Sequence, residues 1–304
     1  MKVYVIIVTY NGIKWIEKCL NSVFNSTLSI NVIVVDNNSS DETVNLIKTK
    51  FQQVELLEQK ENLGFGGANN LGIKTAYASG ADYFFLLNQD AWIEPDTVEK
   101  LIEAHLKESE FGIVSPIHLN GAGDALDYKF SKFIEPSRCK QLFSDIYVNK
   151  IRNNIYEANF VNAAAWLLSR QCIKKVGGFN PSFFHYGEDV NYVQRIKYHN
   201  LKIGVYAHCV VFHDREYRSE NHYFENHKEV YKRELLLKIS NPNENFSLSK
   251  EYLKLYKLFL KSILFFRWEQ IKIVTSKYKI LNDTNKKAIF KNVSESKKEQ
   301  PSFL

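Results

Sequence analysis

Residues 31–50 read NVIVVDNNSSDETVNLIKTK, and this stretch decides the fold class. The β-branched run before Asp36 is typical of a buried strand. Ser39 and Glu42 have the spacing of a capping box, so a helix is predicted to open at Ser39 and to run to about Lys50. A strand followed at once by a helix is the repeating unit of an α/β fold.

The same unit recurs on both sides of this stretch. Periodicity predicts further strands at Val3–Val8, Val54–Glu58 and Tyr83–Leu87. Helices are predicted at Trp15–Val23 and Asn69–Ser79. Such alternation calls for a parallel sheet with helices on both faces.

Beyond about residue 110 the pattern becomes irregular. Residues 110–150 are rich in glycine, aspartate and aromatics, which predicts a loop-rich insertion. A strand-like run returns at 159–169, a helix is predicted to begin near Asp189, and a last strand covers Ile203–Phe212. The second half of the chain therefore adds fewer regular elements to the predicted sheet than the first half does.

Composition bounds the class of protein. The chain has 304 residues, of which 45% are hydrophobic and 24% are charged, as in ordinary globular proteins. Val3–Val8 is too short for a secretory signal, and Leu258–Phe266 is too short to span a bilayer, so we expect a cytoplasmic protein. The four cysteines lie far apart and suggest neither a zinc knuckle nor a disulfide framework.

The basic character of the chain lies in its C-terminal part. Residues 246–304 hold 13 Lys and Arg against 5 Asp and Glu, whereas the whole chain has a net charge of +6. The sequence Asn-Pro-Asn at 241–243 marks a boundary, which divides the chain into a main domain at 1–240 and a helical segment at 241–304.

Four lysines in this segment are spaced by four, three and four residues, at Lys250, Lys254, Lys257 and Lys261. They form a stripe on one face of a predicted helix whose remaining surface is largely apolar. Such a basic amphipathic helix can lie on an anionic membrane surface. It can equally pack on the main domain with its lysines in water, and the sequence leaves both interpretations open.

Polar side chains follow three of the predicted strands. Tyr10 and Asn11 follow the first strand, Asp36 ends the second, and residues 88–90, Asn-Gln-Asp, follow the fourth. In open parallel sheets, ligands bind beyond the carboxyl ends of the strands. A carboxylate at Asp36 can accept a hydrogen bond from the imide N–H of uracil or thymine, although an Asx-turn explains the same residue.

The glycine-rich stretch ENLGFGGANNLG, at 61–72, departs from the dinucleotide-binding fingerprint G-x-G-x-x-G. Its glycines permit close approach of a ligand to the backbone just before a predicted helix N-terminus. A plain turn is the competing interpretation.

Two further positions suggest a metal ion. Asp90 can supply a carboxylate to Mg²⁺ or Mn²⁺ bound to a diphosphate, whereas Asn88 offers only a neutral oxygen. His213 ends the last predicted strand, and a neutral imidazole suits Mn²⁺ better than Ca²⁺. A polar turn at 88–90 and a structural histidine are the alternatives.

The sequence Gly-Glu-Asp at 187–189 opens a predicted helix. Asp189, with Glu188 beside it, can act as a general base if burial raises its pKa toward neutrality. Helix capping by Asp189 and an ion pair for Arg195 explain the same residues.

Taken together, these motifs resemble the inverting, GT-A-fold glycosyltransferases of family 2, in particular the bacterial branch that includes rhamnosyltransferases. The resemblance runs from Val3 to about Ser219. It is carried by VIIVTYNG, VIVVDNNSSDET, ENLGFGGANNLGI, FFLLNQDAWIEPD, FVNAAAWLLSR, VGGFNPSFFHYGEDVNYVQRI and the strand that ends at His213.

The resemblance implies an α/β fold of the GT-A type, with a mixed, mostly parallel sheet flanked by helices and a C-terminal helical appendage. The catalytic domain would bind a UDP- or dTDP-sugar, with dTDP-rhamnose among the candidates. The implied nucleotide contacts are Thr9, Tyr10, Asn11, Asp36, Asn62, Gly64, Gly67, Asn69, Asn88 and Gln89. Asp90 and His213 would hold Mn²⁺ or Mg²⁺. Where many relatives have Asp-x-Asp, residues 88–90 read Asn-Gln-Asp, which keeps the second aspartate.

In the same resemblance, Asp189 would deprotonate the acceptor hydroxyl, which displaces the nucleotide with inversion. Glu188, Arg195 and Trp166 would orient the base and the acceptor. The implied acceptor is a saccharide, and we expect a lipid-linked one, met at the inner face of the plasma membrane; no nucleic-acid partner is expected.

Two other functions compete with this interpretation. A sugar-nucleotide nucleotidyltransferase would carry a glycine-rich, basic phosphate loop after the first strand, and VTYNGIKW at 8–15 is not one. A catalytically inactive carbohydrate-binding protein of the same fold would have lost the acids at 90 and 189, and both are present.

Overall fold

The computed structural model describes residues 1–215 and 226–304; the far end of the family resemblance, near Ser219, lies outside these residues. Within them, nine strands form one sheet. The strands are β1 Val3–Thr9, β2 Ile30–Asp36, β3 Glu55–Glu58, β4 Tyr83–Asn88, β5 Ala91–Ile93, β6 Phe111–Asn120, β7 Tyr156–Glu157, β8 Ala165–Ser169 and β9 Lys202–His213.

Helices flank this sheet and continue beyond it. The helices are α1 Ile16–Phe24, α2 Thr43–Lys50, α3 Gly64–Ala78, α4 Thr97–Lys107, α5 Tyr128–Phe133, α6 Leu142–Tyr147, α7 Arg170–Val176, α8 Glu188–Tyr198, α9 His227–Ser240, α10 Leu248–Leu264, α11 Trp268–Asp283 and α12 Lys286–Ser296.

The strand order is β3-β2-β1-β4-β8-β6-β9-β5, and β7 pairs with β9. The first four strands of this order run parallel, as do β6 and β9. Strand β8 enters antiparallel between β4 and β6, and β5 is antiparallel to β9. The predicted fold, a mixed and mostly parallel sheet with flanking helices and a helical C-terminal region, is confirmed.

Both faces of the sheet are buried, which explains the near-continuous apolar strands. On one face, Ile6 and Phe84 pack in a cluster with side chains of α3, α7 and α8. On the other face, Val5 and Phe85 pack with side chains of α1, α2 and α4. Successive residues of a strand point to opposite faces of the sheet, so they pack alternately in the two cores.

The prediction of a loop-rich insertion at 110–150 is wrong over its first part. Strand β6 occupies Phe111–Asn120 and pairs with both β8 and β9 in the middle of the sheet. Gly112 and Pro116 obscured it, because glycine and proline disfavour a central strand. The ladder accommodates both residues at register shifts, between Phe111 and Ile113 and between Pro116 and Ile117.

Two predicted helix starts are also wrong. Helix α2 begins at Thr43, because the Ser39 hydroxyl accepts the backbone N–H of Asn11 instead of capping a helix. Helix α3 begins at Gly64, five residues before the predicted start, so the glycine-rich stretch forms its first turns.

Helices α9–α12 build a small core of their own. Its buried side chains are Tyr231, Leu235, Ile239, Leu255, Val274, Leu281 and Ile289. The chain end then returns to the sheet domain, where the Ser302 carbonyl accepts the backbone N–H of Gly178 at 2.8 Å. The division at residue 241 remains a prediction, and α9, which precedes it, shares this core.

None of the helices in 1–215 and 226–304 combines the length and the apolar character that crossing a bilayer requires.

Candidate functional site

The ends of β1, β2 and β4 lie side by side at one edge of the sheet. Thr9 pairs with Asp36 across β1 and β2, and Val8 pairs with Asn88 across β1 and β4. The parallel register therefore brings together the polar residues that follow these strands, as their positions in the sequence predict.

Gln89 joins two of these strand ends. Its Oε1 accepts hydrogen bonds from the Thr9 hydroxyl at 2.6 Å and from the Tyr10 backbone N–H at 3.0 Å. Its Nε2 donates to the Tyr10 carbonyl at 3.2 Å. A β-carbon on Gly12 would collide with Gln89 Oε1, so the chain passes close to this amide. Gln89 therefore shapes the loop that follows β1. In this loop the Tyr10 side chain is exposed, whereas Thr9, at the end of β1, is buried.

Asp36 is buried at the end of β2, with 2% of its surface exposed. Its Oδ2 accepts the Ser39 backbone N–H at 3.0 Å, which is the local turn that the alternative interpretation expects. Its Oδ1 has no hydrogen-bond partner among the described residues. A buried acceptor without a donor is unfavourable, so this oxygen is suited to a donor that a ligand brings.

Asn11 arranges the loop after β1. It lies in the left-handed region with φ 47°, and its Oδ1 accepts the Ser40 backbone N–H at 2.8 Å. The loops that follow β1 and β2 are thus held together by side chains of both.

Asn37, which was not predicted as a site residue, joins the loops after β2 and β3. Its Nδ2 donates to Asn62 Oδ1 at 2.9 Å, and its Oδ1 accepts the Leu63 backbone N–H at 2.7 Å. Asn62 Oδ1 also accepts the Gly64 backbone N–H at 2.8 Å. Asn62 therefore shapes the entry to α3 in this structure.

The glycines of α3 pack against protein. A β-carbon on Gly64, which has φ +73°, would collide with the Phe184 carbonyl oxygen. A β-carbon on Gly67 would come within 3.2 Å of the Leu63 Cβ. Asn69 is buried and donates to the Phe65 carbonyl at 2.9 Å. The stretch is therefore a closely packed helix start, not the open loop that the sequence suggested.

Asp90 and His213, predicted as metal ligands, lie together. His213 Nε2 is 3.4 Å from Asp90 Oδ2, and both residues are buried. The contact arises because β5, which directly follows Asp90, pairs with β9 so that Ala91 opposes His213. The Asp90 carbonyl also accepts the Asp214 backbone N–H at 3.0 Å.

Asp127 completes this cluster on the other side of the imidazole. His213 Nδ1 is 3.2 Å from Asp127 Oδ2, and Arg215 Nη2 donates to Asp127 Oδ1 at 2.5 Å. Asp127 also caps α5 by accepting the Phe130 backbone N–H at 2.8 Å. Asp127 was not predicted from the sequence, because its only local signal is that of a helix cap.

The cluster is electrostatically coupled. Burial alone would lower the pKa of His213, but the contacts with Asp127 and Asp90 outweigh it and raise that pKa above its ordinary value. Burial alone would raise the pKa of Asp127, but hydrogen bonds from His213 and Arg215 bring it well below its ordinary value. Asp127 is thus an ionised carboxylate that orients the imidazole.

The residues present fit a divalent ion that a ligand helps to hold. Within the described residues, no group of three or more His, Cys, Asp or Glu side chains is arranged to hold a metal ion. Asp90 and His213 offer one oxygen and one nitrogen, and Mg²⁺ commonly takes one or two carboxylates together with phosphate and water. Asn88 is partly exposed at the end of β4, two residues before Asp90.

Glu188 and Asp189 open α8 after Gly187, which has φ 103°. Asp189 is partly buried, and its Oδ1 accepts the Val190 backbone N–H at 2.7 Å. Burial raises the pKa of Asp189 and outweighs the backbone hydrogen bonds and the charges of Arg215 and Arg233, which lower it. Burial and the Asp189 carboxylate raise the pKa of Glu188 as well.

Arg195 and Trp166 lie in the core. The Arg195 guanidinium donates to the backbone carbonyls of Val176 and Gly178, and Trp166 stacks on Phe179 with ring centroids 6.2 Å apart. Both side chains are fully buried. In this structure they would not touch an acceptor, so the expectation that they orient it is not supported by their placement.

The chain matches a known protein family over its N-terminal part. The family model described as "Glycosyl transferase family 2" matches residues 4–177. A curated relative, "Low-salt glycan biosynthesis hexosyltransferase Agl10" of Haloferax volcanii, is 24% identical over 177 residues, which are 57% of this chain and 55% of that protein. The chain spans about half the length of this and other curated relatives that it matches.

A second relative is the "N-acetylglucosaminyl-diphospho-decaprenol L-rhamnosyltransferase" of Mycobacterium tuberculosis. It is 23% identical over 212 residues, which are 63% of this chain and 69% of that protein. Among solved structures, GalNAc-T7 with UDP, GalNAc and Mn²⁺ superposes with a TM-score of 0.59 at 14% identity, over 87% of this chain and 57% of that chain.

The solved structure shows the fold alone, since its identity to this chain is low. The family model, in contrast, spans more than half of the chain, including β1, β2, β4 and β8. The chain belongs to glycosyl transferase family 2.

Proposed function

We propose that this protein is an inverting glycosyltransferase that moves a sugar from a pyrimidine nucleotide sugar to a hydroxyl of a saccharide acceptor. The observation that carries the proposal is the meeting of Asp90 and His213, 3.4 Å apart and buried, at the sheet edge where Asp36 also ends its strand. These residues come from three distant parts of the chain, so their assembly is a property of the fold.

Asp36 is the proposed contact for the base of the donor. Its unpartnered Oδ1 can accept the imide N–H of uracil or thymine, whereas adenine has no such donor. UDP- and dTDP-sugars are thus the proposed donors, and GalNAc-T7, of the same fold, was solved with UDP. The name of the Mycobacterium relative supports dTDP-rhamnose as one candidate.

Asp90 and His213 are the proposed holders of Mn²⁺ or Mg²⁺. Such an ion, when bound, would neutralise the charge that develops on the departing diphosphate. Asp127 supports this role by holding His213 Nδ1, which leaves Nε2 directed toward Asp90. GalNAc-T7 was solved with Mn²⁺ as well as UDP, which agrees with the proposed ion.

Asp189 is the proposed general base, with Glu188 beside it. A raised pKa suits a carboxylate that must accept a proton from a hydroxyl near neutral pH. Inversion follows if the deprotonated hydroxyl attacks opposite the departing nucleotide in one displacement.

A cavity of about 460 Å³ next to these acids is the proposed binding site of the acceptor, and its lining supports the kind of acceptor that we propose. It is lined by Phe183, Phe184 and Tyr186, just before Gly187, and by Glu229, Lys232 and Arg233 on α9. Aromatic faces suit sugar rings, and the two cations, which outnumber the one acid, suit a negatively charged linker such as a diphosphate. We therefore propose a lipid-linked saccharide, consumed at the inner face of the plasma membrane, in surface polysaccharide synthesis.

The test is thermal unfolding with a panel of sugar nucleotides, with and without Mn²⁺. A ligand that binds only the folded state at 100 times its Kd adds about 2.7 kcal/mol of stability. We expect UDP- or dTDP-sugars to raise the Tm with Mn²⁺ and ADP-sugars not to do so. Asp36→Ala should reduce the rise with the pyrimidine donors.

Asp90→Ala distinguishes the metal site from general binding, and it should abolish the Mn²⁺-dependent part of the rise and sugar transfer alike. The exposed Asp283→Asn is the matched control and should behave as wild type. Equal stabilisation by ADP-sugars, or full transfer by Asp90→Ala, would contradict the proposal. A nucleotidyltransferase would instead release pyrophosphate when it is given a nucleoside triphosphate and a sugar phosphate.

A further inference from the structure

The turn between α10 and α11 exposes an unusual set of large apolar side chains. We define the apolar corner as Ile263, Leu264, Phe265, Phe266 and Trp268, which are between 47% and 77% exposed. Isolated exposed apolar residues are common on proteins, but a continuous group of this kind marks a surface that something else covers.

Helix α10 extends the same surface toward its start. Leu253, Tyr256 and Leu260 are each about half exposed, whereas Leu255 on the opposite side is buried in the small helical core. The exposed residues are therefore not those that hold α10 against α11.

The backbone fixes the apolar corner in place. The Phe266 N–H donates to the Ile263 carbonyl at 3.0 Å, and the Arg267 N–H donates to the Ser262 carbonyl at 2.8 Å. These bonds form a Schellman motif, whose left-handed position usually holds glycine. Here that position is Phe266, with φ 50°. An aromatic side chain thus stands at the tip of a defined turn, at a position where glycine would be less strained.

Cations outnumber acids beside the apolar corner. Between residues 248 and 269 the chain carries Lys250, Lys254, Lys257, Lys261 and Arg267, all exposed. The acids of this stretch are Glu251, which is buried, and Glu269, which is exposed and pairs with Lys272. The four lysines are those of the predicted stripe. Their aliphatic stems can lie along the apolar surface while their charges reach outward.

We propose that the apolar corner inserts into the headgroup region of an anionic lipid bilayer, with the surrounding cations bound to lipid phosphates. The bilayer covers the apolar side chains, and the cations supply the preference for anionic lipid. The inference deepens the proposed membrane location, on which it rests, and is independent of sugar transfer. In this proposal the anchor consists of Phe265, Phe266 and Trp268. The sequence had indicated a membrane contact through the lysines alone.

Charge favours lipid over a second copy of the chain. A two-fold interface through the apolar corner would bring the same five cations of both copies together. Like charges at an interface oppose association, whereas an anionic bilayer attracts all five.

The position of the corner also suits a lipid-linked acceptor. Lys272 lies about one helical turn beyond Trp268 on α11. Lys272 and Lys277 line a cavity with Asn226, and Asn226 also lines the cavity beside Glu188 and Asp189. Asn226, which lines both cavities, therefore links the surface near the proposed membrane contact with the proposed acceptor site.

The experiment is flotation of the full chain with vesicles of phosphatidylcholine, with or without one quarter phosphatidylglycerol. We expect binding only with phosphatidylglycerol, and at least about a tenfold loss of binding for the double variant Phe265→Ser, Phe266→Ser, which removes two inserted rings. Leu106→Ser, an equally exposed apolar residue on α4, is the matched control and should bind as wild type. Lys254→Glu with Lys257→Glu should also weaken binding.

Unchanged binding of the Phe265, Phe266 variant would overturn the inference. A different result would also overturn it: the wild type does not bind vesicles and sediments as a dimer, and the Phe265, Phe266 variant sediments as a monomer. A second copy of the chain would then cover the corner. Donor-dependent thermal stabilisation is measured on every variant. If the wild type binds donor but not vesicles, the membrane proposal fails and the proposed enzymatic function is unaffected. If the wild type binds vesicles but shows no donor-dependent stabilisation, the proposed function fails and the membrane proposal is unaffected.

Discussion

The carboxyl edge of the sheet and the apolar corner between α10 and α11 both place side chains against their usual preference. At the sheet edge, Asp90 and His213 are 3% and 1% exposed, although charged groups are normally at the surface. At the corner, Phe266 and Trp268 are largely in solvent, although such rings are normally inside.

The two regions differ in how this placement is stabilised. The buried acids and imidazole are held by one another and by Arg215, so the sheet edge is stable before a ligand arrives. The corner has fixed backbone bonds, but its side chains stay between 47% and 77% exposed. The sheet edge is thus prepared for a polar ligand, and the corner for an apolar surface.

The largest expected effect in this series comes from the proposed general base, Asp189 at the start of α8. Asp189→Asn keeps the size of the side chain but removes its capacity to take a proton, so sugar transfer should fall by about 10²- to 10⁴-fold. Donor binding, measured by thermal shift, should stay within about twofold of wild type. Full transfer activity in this variant would remove Asp189 from the mechanism, whatever its effect on folding.

Substitutions in the core of the C-terminal helices and at their exposed corner should change the free energy of unfolding by different amounts. Leu281→Ala opens a cavity in the core shared by α9–α12 and should lower the free energy of unfolding by about 2 to 5 kcal/mol. Leu264→Ala, at the exposed corner, should change it by no more than about 0.5 kcal/mol. Urea unfolding of both variants without lipid measures this contrast, and equal losses would show that the corner is packed in solution.

The third effect concerns the support of His213. Asp127→Asn removes the carboxylate beside Nδ1, and loss of such a partner typically weakens metal binding by about 10- to 100-fold. The Mn²⁺ concentration needed for half of the donor-dependent rise in Tm should increase accordingly. A merely structural Asp127 would instead lower the Tm equally with and without Mn²⁺.

The smallest effect is a shift in pH dependence. Because burial raises the pKa of Asp189, the fraction of ionised base falls on acidification at a higher pH than for an ordinary carboxylate of pKa about 3.9. A plot of kcat/KM against pH should therefore decline with a slope of one on the acid side, above that value. A profile that stays flat down to about pH 4.5 would show that the pKa of Asp189 is not raised in the working enzyme.

Much of the sheet and of its polar edge was predictable, because strand and helix periods are local properties of the chain. Asp36 and Asp90 were found because each ends or follows an apolar run. Strand β6 was missed because Gly112 and Pro116 contradict a central strand locally, while neighbouring strands supply the pairing that overrides this preference. Arg195 was expected near a ligand, yet carbonyls of Val176 and Gly178 take up its charge inside the core.

The sequence by itself determined the α/β alternation, the position of polar residues at strand ends and the basic stripe at Lys250–Lys261, since each depends on neighbours along the chain. Only the tertiary structure decided that Asp127 meets His213 and that Phe266 stands in solvent. Contacts between distant segments, and the side of a helix that stays uncovered, depend on how whole elements pack, which no local pattern specifies.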